Sequence, residues 1–344
     1  MKLNEAHDAV RARLDALDIS SLWRGFRPMR FALYDDEACF FDGAYVEKTE
    51  EFVANTAILY HGEHIAIWNL AEEPEDLDVL ASCIAHEMFH AFQEASGESR
   101  WADEMDALAH YRCDADNISV RLREAELMRA ILLGGKDARF AELLALRKAR
   151  AERFPYEYSY EARIEQIEGS ANDVELRALS RLDAEKGRRA LARALERIAE
   201  PERYCPARVV SYLTGAALLA CIRCCSTYDF EAFTDVPFAE GILAEAGGAA
   251  PSVARDARAA AACAAYAAQT RRIIDAALQK GKIVLRGCYP LESLNVWDAR
   301  REGRYAVSNL FVAYRDGESA RHLSGNFVVE LDDEGRNLLA VYEQ

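Results

Sequence analysis

Over residues 5–17, Ala, Val and Leu return every three or four positions, and this spacing predicts a first helix. From about Arg27 to Trp68 the period shortens. The runs MRFALY, ACFFDG, NTAILY and HIAIW are rich in β-branched and aromatic residues and are separated by Asp, Gly and His-Gly turns. They predict three to five strands, with AILYHGEHIAIW as a hairpin turning at Gly62. The stretch AEEPEDLD then opens a helix. Pro74 falls in its first turn, where a missing N–H is tolerated, and the acidic residues suit the positive end of the helix dipole. This helix is expected from about Glu75 to Ala95, stopping near Gly97.

From Ala102 to about Ala199 the pattern reads as helix almost throughout, broken at LLGGKD and at RFPYEYSYE. RVVSYLTGAALLACIRCC is a strongly apolar helix, and EAGGAAPS separates it from an Ala-rich helix over Val253 to Leu278. After Lys280-Gly281 the runs KIVLRG, RYAVSNLFVAY, GNFVVEL and NLLAVYE alternate apolar and polar residues, with RDGE and DDEG as turns. The fold class expected is α+β, mostly helical. A small mixed or antiparallel sheet and a long helix occupy residues 1–97, a helical part residues 98–280, and a small antiparallel β unit residues 281–344.

Composition adds limits. At 344 residues and 51% hydrophobic, the chain can bury a large core, enough for two domains. No apolar h-region follows Met1-Lys2-Leu3-Asn4, so no signal peptide is expected, and no apolar run is expected to reach the length of a bilayer span. Nine scattered cysteines fit a reducing cytoplasm better than a secreted disulfide framework. The net charge of −16 opposes nucleic-acid backbones and anionic lipid, so neither nucleic acid nor membrane is expected as a partner. Nothing indicates an oligomeric state.

The chemistry concentrates in CIAHEMFHAFQE, Cys83 to Glu94. His86 and His90 are four residues apart and share a helix face, so each can offer a ring nitrogen to one tetrahedral zinc. Glu87 points beside them, where it can serve as general base toward a water acidified by the metal. The bland alternative is a core helix carrying two histidines by coincidence. Against it, Cys83, Ile84, Met88, Phe89, Ala91 and Phe92 surround the polar triplet with residues of buried type, and polar groups in such a helix need partners.

Zinc needs a third protein ligand and an open fourth position. Gln93 and Ser96 stand where the metzincin extension requires Gly and His, and nothing upstream of His86 resembles the Gly-Cys-Leu segment that carries the cysteine ligand of deformylases. A glutamate from a later helix remains. In YEARIEQIEGSANDVELRAL, Glu168 has Glu165 one turn before it and Glu175 two turns after it, a carboxylate face. Gly169 costs about 1 kcal/mol in a helix relative to alanine, and with Ala171 it makes sense if another helix passes closely there. Glu165 and His110, the latter twenty residues after His90, are rival ligands. Glu104 and Asp106 read as exposed helix charges, or as acceptors for a histidine N–H.

HEMFHAFQ followed by IEGSANDVE resembles the gluzincin clan of zinc metallopeptidases. Within it, the chain is similar to a bacterial group with H-E-x-x-H-A-x-Q and E-G-x-A-x-Y-x-E. The likeness extends to ARVVSYLTGAALL and spans roughly residues 55 to 225. It implies a zincin-like core, zinc bound by His86, His90 and Glu168, Glu87 as base, and a peptide or protein substrate. Asp173 stands where that pattern has Tyr, so any role of that tyrosine is in doubt.

Peptide hydrolysis also needs a donor to the developing oxyanion. Tyr212, in RVVSYLTGAALL, is the candidate, with a core aromatic as the alternative. Arg208 is placed to orient substrate or to pair with neighbours of Glu168. Tyr156, Tyr158 and Tyr160 are candidates for a cleft wall, with plain packing as the alternative. By the resemblance, HIAIWNL is a sheet edge above the metal to which a peptide can add. Cys221, Cys224, Cys225, Cys83 and Cys113 read as core residues. The activity expected is zinc-dependent peptide-bond hydrolysis. Its rivals are a metal-keeping binding or regulatory protein without turnover, and a zinc hydrolase of a non-peptide amide.

Overall fold

The computed structural model describes the chain apart from residues 73–75, 135–136 and 233 and the side chains of residues 72, 137 and 138. Helix α1 (Leu3–Asp15) leads to a five-stranded sheet of β1 (Phe31–Tyr34), β2 (Cys39–Phe41), β3 (Ala44–Val46), β4 (Thr56–Tyr60) and β5 (Glu63–Asn69). Its order is β3-β2-β1-β5-β4, with β1 and β5 parallel and the other pairs antiparallel. The β4–β5 hairpin turns at His61-Gly62, both at positive φ, as a tight two-residue turn requires.

Helix α2 (Leu77–Ala95) follows, and it packs on β5, α1 and a later helix. Its start is two residues beyond the expected Glu75, because the Asp76 carboxylate accepts from the N–H groups of Asp78 and Val79 and so caps it. The expectation for Pro74 falls outside the described residues. Gly97, at φ 73°, ends the helix as expected.

The helical part comprises α3 (Glu104–His110), α4 (Ala115–Leu132), α5 (Asp137–Arg153), α6 (Pro155–Ile164), a π turn (Glu165–Gly169), α7 (Ser170–Leu182), α8 (Ala184–Arg197), α9 (Arg208–Cys225), the short α10 (Phe238–Gly241) and α11 (Ala257–Lys280). At RFPYEYSYE only Phe154 interrupts helix, since Pro155 is tolerated as the first helical residue. Tyr156, Tyr158 and Tyr160 therefore sit on α6 and not in a loop. One sequence expectation is amended by α9. With a mean hydropathy of 1.4 over 18 residues, it is long and apolar enough to cross a bilayer. Here it packs against α4, α6, α7 and the π turn, with Val210, Leu218, Leu219 and Ile222 buried.

The main core joins α1, the inner face of the first sheet, α2 and the helical part through Leu22, Phe26, Leu33, Ile84, Phe89, Met128 and Leu218. Beneath it lies a second, polar core. Arg121, Arg147 and Arg150 are buried with Glu124, Glu161 and Glu165, three charges of each sign. Arg147 Nη2 lies 2.5 Å from Glu165, and Arg150 reaches both Glu124 and Glu161. Tyr111, Ser211 and Thr214 add hydroxyls, so the buried charges are hydrogen-bonded as well as paired. Cys113, expected as a plain core residue, is instead bonded to Cys205, with the Cα atoms 5.8 Å apart.

The C-terminal strands form one antiparallel sheet, in the order β10-β9-β6-β12-β11-β8-β7. They are β6 (Ile283–Leu294), β7 (Arg300–Glu302), β8 (Tyr305–Ser308), β9 (Phe311–Asp316), β10 (Ser319–Ser324), β11 (Phe327–Leu331) and β12 (Asn337–Glu343). The predicted RDGE and DDEG turns join β9 to β10 and β11 to β12 through Gly317 and Gly335 at positive φ. RYAVSNLFVAY, read as one strand, is two. Leu310 at φ 70° breaks it, and Phe311 begins the next strand. The sheet packs on α11 and receives Met105 and Leu108 from α3 into its core.

Candidate metal centre

Helix α2 presents His86, Glu87 and His90 at the base of the helical part, where α7 crosses it. Their side chains are nearly enclosed, which follows from the apolar neighbours along the same helix. The two imidazoles point their Nε2 atoms at each other, 3.1 Å apart. Glu168, from the π turn, brings Oε2 to 3.3 Å from His90 Nε2 and 3.9 Å from His86 Nε2. One ligand atom from each of the three lies within 4.8 Å of the others.

The outward ring nitrogens are held as well. His86 Nδ1 bonds to Glu175 Oε2 at 3.0 Å. His90 Nδ1 bonds to Gln93 Oε1 at 2.8 Å, and Gln93 Nε2 donates in turn to the Ile167 carbonyl and to Ser170 Oγ, both at 3.1 Å. In the neutral rings these bonds place the proton on Nδ1 and turn the Nε2 lone pair toward the cluster, the arrangement that fixes a metal-binding tautomer.

The π turn explains how one helical stretch serves two purposes. Its wider turn separates Glu165 from Glu168. Glu165 points into the buried charge cluster, taken by Arg147 and by Thr214 Oγ1 at 2.8 Å. Glu168 faces the histidines, and Glu175, two turns on, backs His86. The expected three-carboxylate face is thus corrected: Glu165 is not among the groups that meet the histidines. Gly169 and Gly215 are where the π turn and α9 touch. A Cβ on Gly169 would stand 2.7 Å from Gly215 Cα, and one on Gly215 would stand 2.8 Å from Gly169 Cα. The close passage expected at Gly169 is with Gly215 of α9.

Glu168 also has a cationic partner. Arg208 Nη2 donates to Glu168 Oε1 at 2.8 Å, and Arg208 Nη1 donates to Glu104, which accepts from Tyr160 at 2.8 Å. Glu104 is therefore half-buried and engaged, not an exposed helix charge, and it serves Arg208 rather than a histidine. Tyr212 stands in the same cluster. Burial and the nearby Glu168 raise its phenol, Arg208 lies over its ring at 5.6 Å, and Trp297 from the β6–β7 connection meets it edge-on at 5.8 Å.

The electrostatics favour a cation. Burial works against charge on every group here, but the groups compensate one another. Burial alone lowers His86, yet Glu175, Glu87 and Glu168 outweigh it and hold the imidazole at about 9. Burial alone raises Glu168, yet His90, Arg208 and His86 hold it at about 2. Glu87 is raised, foremost by burial. Among the described residues it makes no hydrogen bond or ion pair with protein, although it is nearly enclosed.

Other candidates lie elsewhere. His110 is exposed and pairs with Asp106 at 3.0 Å. Tyr156 also bonds to Asp106. Tyr158 is buried, donates to the Ala239 carbonyl at 2.7 Å, and lies under Arg147 and Arg150, so it is not a cleft wall. Asp173 is engaged by Arg223 at 2.6 Å. HIAIWN is not an edge. As β5 it lies between β1 and β4, and the free edge on that side is β4. Sequence reasoning missed the role of Gln93, although its place three residues after His90 was a usable signal. It also missed the buried arginines, whose trace was charge on otherwise apolar helix faces, and Trp297, for which the sequence held no signal.

No protein-family profile, curated protein or solved structure matches the chain.

Proposed function

We propose that the chain is a zinc-dependent hydrolase of peptide bonds, built on a zincin-like arrangement of the first sheet, α2 and the helical part. The observation that carries this reading is the convergence of His86, His90 and Glu168, with Nδ1 of each histidine tied to Glu175 or Gln93. Two imidazoles and one carboxylate are the donor set of a catalytic zinc rather than a structural one. Zinc in such a set supplies Lewis acidity, which acidifies water and polarises a carbonyl.

The remaining steps belong to side chains. Glu87, buried and without a hydrogen bond or ion pair among the described residues, accepts the proton of the attacking water and delivers it to the leaving amine. Its raised pKa brings it nearer to working pH and suits both transfers. Tyr212, beside Glu168, donates to the oxyanion as it forms. Arg208 holds the second oxygen of Glu168 and so fixes the carboxylate's orientation. The open edge of β4, which packs beside α2, is the place where a peptide main chain adds.

The test combines metal analysis with a cleavage screen on mixed peptide libraries. The wild type is expected to hold about one zinc per chain and to cleave. Glu87→Gln keeps the zinc and loses several orders of magnitude in kcat, whereas Tyr212→Phe loses roughly a hundredfold with little change in KM. Equal cleavage by Glu87→Gln would sink the mechanism. Retention of zinc by Glu168→Ala together with its loss in Glu165→Ala would sink the ligand assignment.

A further inference from the structure

A cavity of about 420 Å3 lies where α3, α9 and α11 meet the β6–β7 connection. That volume is in the range of small-molecule sites. In a chain of net charge −16, its lining is cationic, with five arginines against two glutamates. Two of the arginines are matched: Arg208 pairs with Glu104, and Arg271 with Glu302 at 2.5 Å. Arg112, Arg300 and Arg301 have no carboxylate within 4.0 Å among the described residues. Arg300 donates to Gln269 and lies over the Tyr266 ring, and Arg301 donates to the Gly303 carbonyl. Those neutral partners orient the guanidinium groups without neutralising them.

A second feature has the same sign. The N-terminal end of α9 opens onto this cavity, with Pro206 and Ala207 in its wall. The helix is 18 residues long, and Ala207 at its N-cap provides no side-chain acceptor. The first-turn N–H groups therefore add a partial positive charge suited to an anion. Leu108, Val296 and Tyr266 make the rest of the wall apolar or aromatic. From this we propose that the cavity binds a carboxylate carried on a short apolar stem.

The cavity adjoins the metal cluster. Arg208 lines it and holds Glu168, and Val296 lines it while the next residue, Trp297, rests on Tyr212. An acidic side chain of a peptide crossing the cluster has the required chemistry, and so has a free small acid. The site itself stands on the cavity alone, and only the first source rests on the hydrolase reading.

Calorimetric titration of the full chain with glutarate, N-acetyl-glutamate amide and its neutral isostere N-acetyl-glutamine amide tests this. A carboxylate can also ligate a metal, so the titrations are run on the zinc-loaded chain and on His86→Gln. Both acids are expected to bind in both forms, and the isostere about tenfold more weakly or worse. Arg112→Gln combined with Arg300→Gln, two changes at the cavity surface, is expected to weaken both acids by about tenfold while thermal unfolding stays unchanged. Equal binding of the isostere, an unaffected double variant, or binding that vanishes in His86→Gln would each overturn the proposal. Peptide cleavage then separates the sources. A preference for Asp or Glu near the cleaved bond that Arg300→Gln abolishes assigns the cavity to the substrate, and acid binding without that preference assigns it to a free acid.

Discussion

Replacing Gly169 by alanine probes whether backbone contact sets the position of Glu168. Helix propensity alone favours the change by about 1 kcal/mol. The packing reverses the sign. The new Cβ would meet Gly215 Cα at 2.7 Å, Gly215 C at 3.1 Å and Ala216 N at 3.4 Å. Carbon atoms need about 3.5 Å, so the π turn and α9 must part by roughly 0.8 Å. All three neighbours are backbone atoms, and no side chain can swing aside. Overpacking of this kind costs about 1–3 kcal/mol, which leaves a net loss of about 0–2 kcal/mol after the propensity gain. Metal binding should suffer more than stability. Glu168 precedes Gly169 in the chain, and metal–ligand distances tolerate only about 0.2 Å. Zinc affinity, measured by competition with a chromophoric chelator, is expected to fall at least about tenfold. Thermal unfolding gives the stability term, and Gly247→Ala, where a Cβ meets nothing within 4 Å, is the neutral control. A Gly169→Ala protein with a raised Tm and unchanged zinc affinity would refute the reasoning.

Glu175→Gln and Gln93→Leu each remove one bond that orients a histidine, and each should weaken zinc by about 10–100-fold in the same competition assay without removing a ligand. Arg147→Met leaves Glu165 buried without its main cation and should cost about 3–5 kcal/mol in chemical denaturation, whereas breaking an exposed pair such as Arg188–Glu185 should leave the denaturation midpoint almost unchanged. Trp297→Ala removes the edge contact on Tyr212, so it should lower peptide hydrolysis while zinc content, read by metal analysis, stays unchanged.

Much was readable from local pattern. The α+β class, the hairpin at Gly62, the long helix ending at Gly97 and the C-terminal antiparallel sheet depend on short-range periodicity and on turn residues whose backbone preferences act locally. His86, Glu87 and His90 were legible for the same reason, because four residues along a helix bring two rings to one face whatever surrounds them. Glu168 could be named as a candidate but not separated from Glu165 by spacing. The π turn decides between them, and it depends on Arg147 and Thr214 claiming Glu165 from other helices. The partners of the histidine Nδ1 atoms, the Gly169–Gly215 contact, the Cys113–Cys205 bond and the meeting of Trp297 with Tyr212 join residues far apart in sequence. Periodicity carries no information about such pairs, because many helix arrangements satisfy the same apolar stripes, and only the packed chain selects one. The interior place of β5 is a further case, since strand order within a sheet is set by pairing between segments and not by the alternation within any one of them.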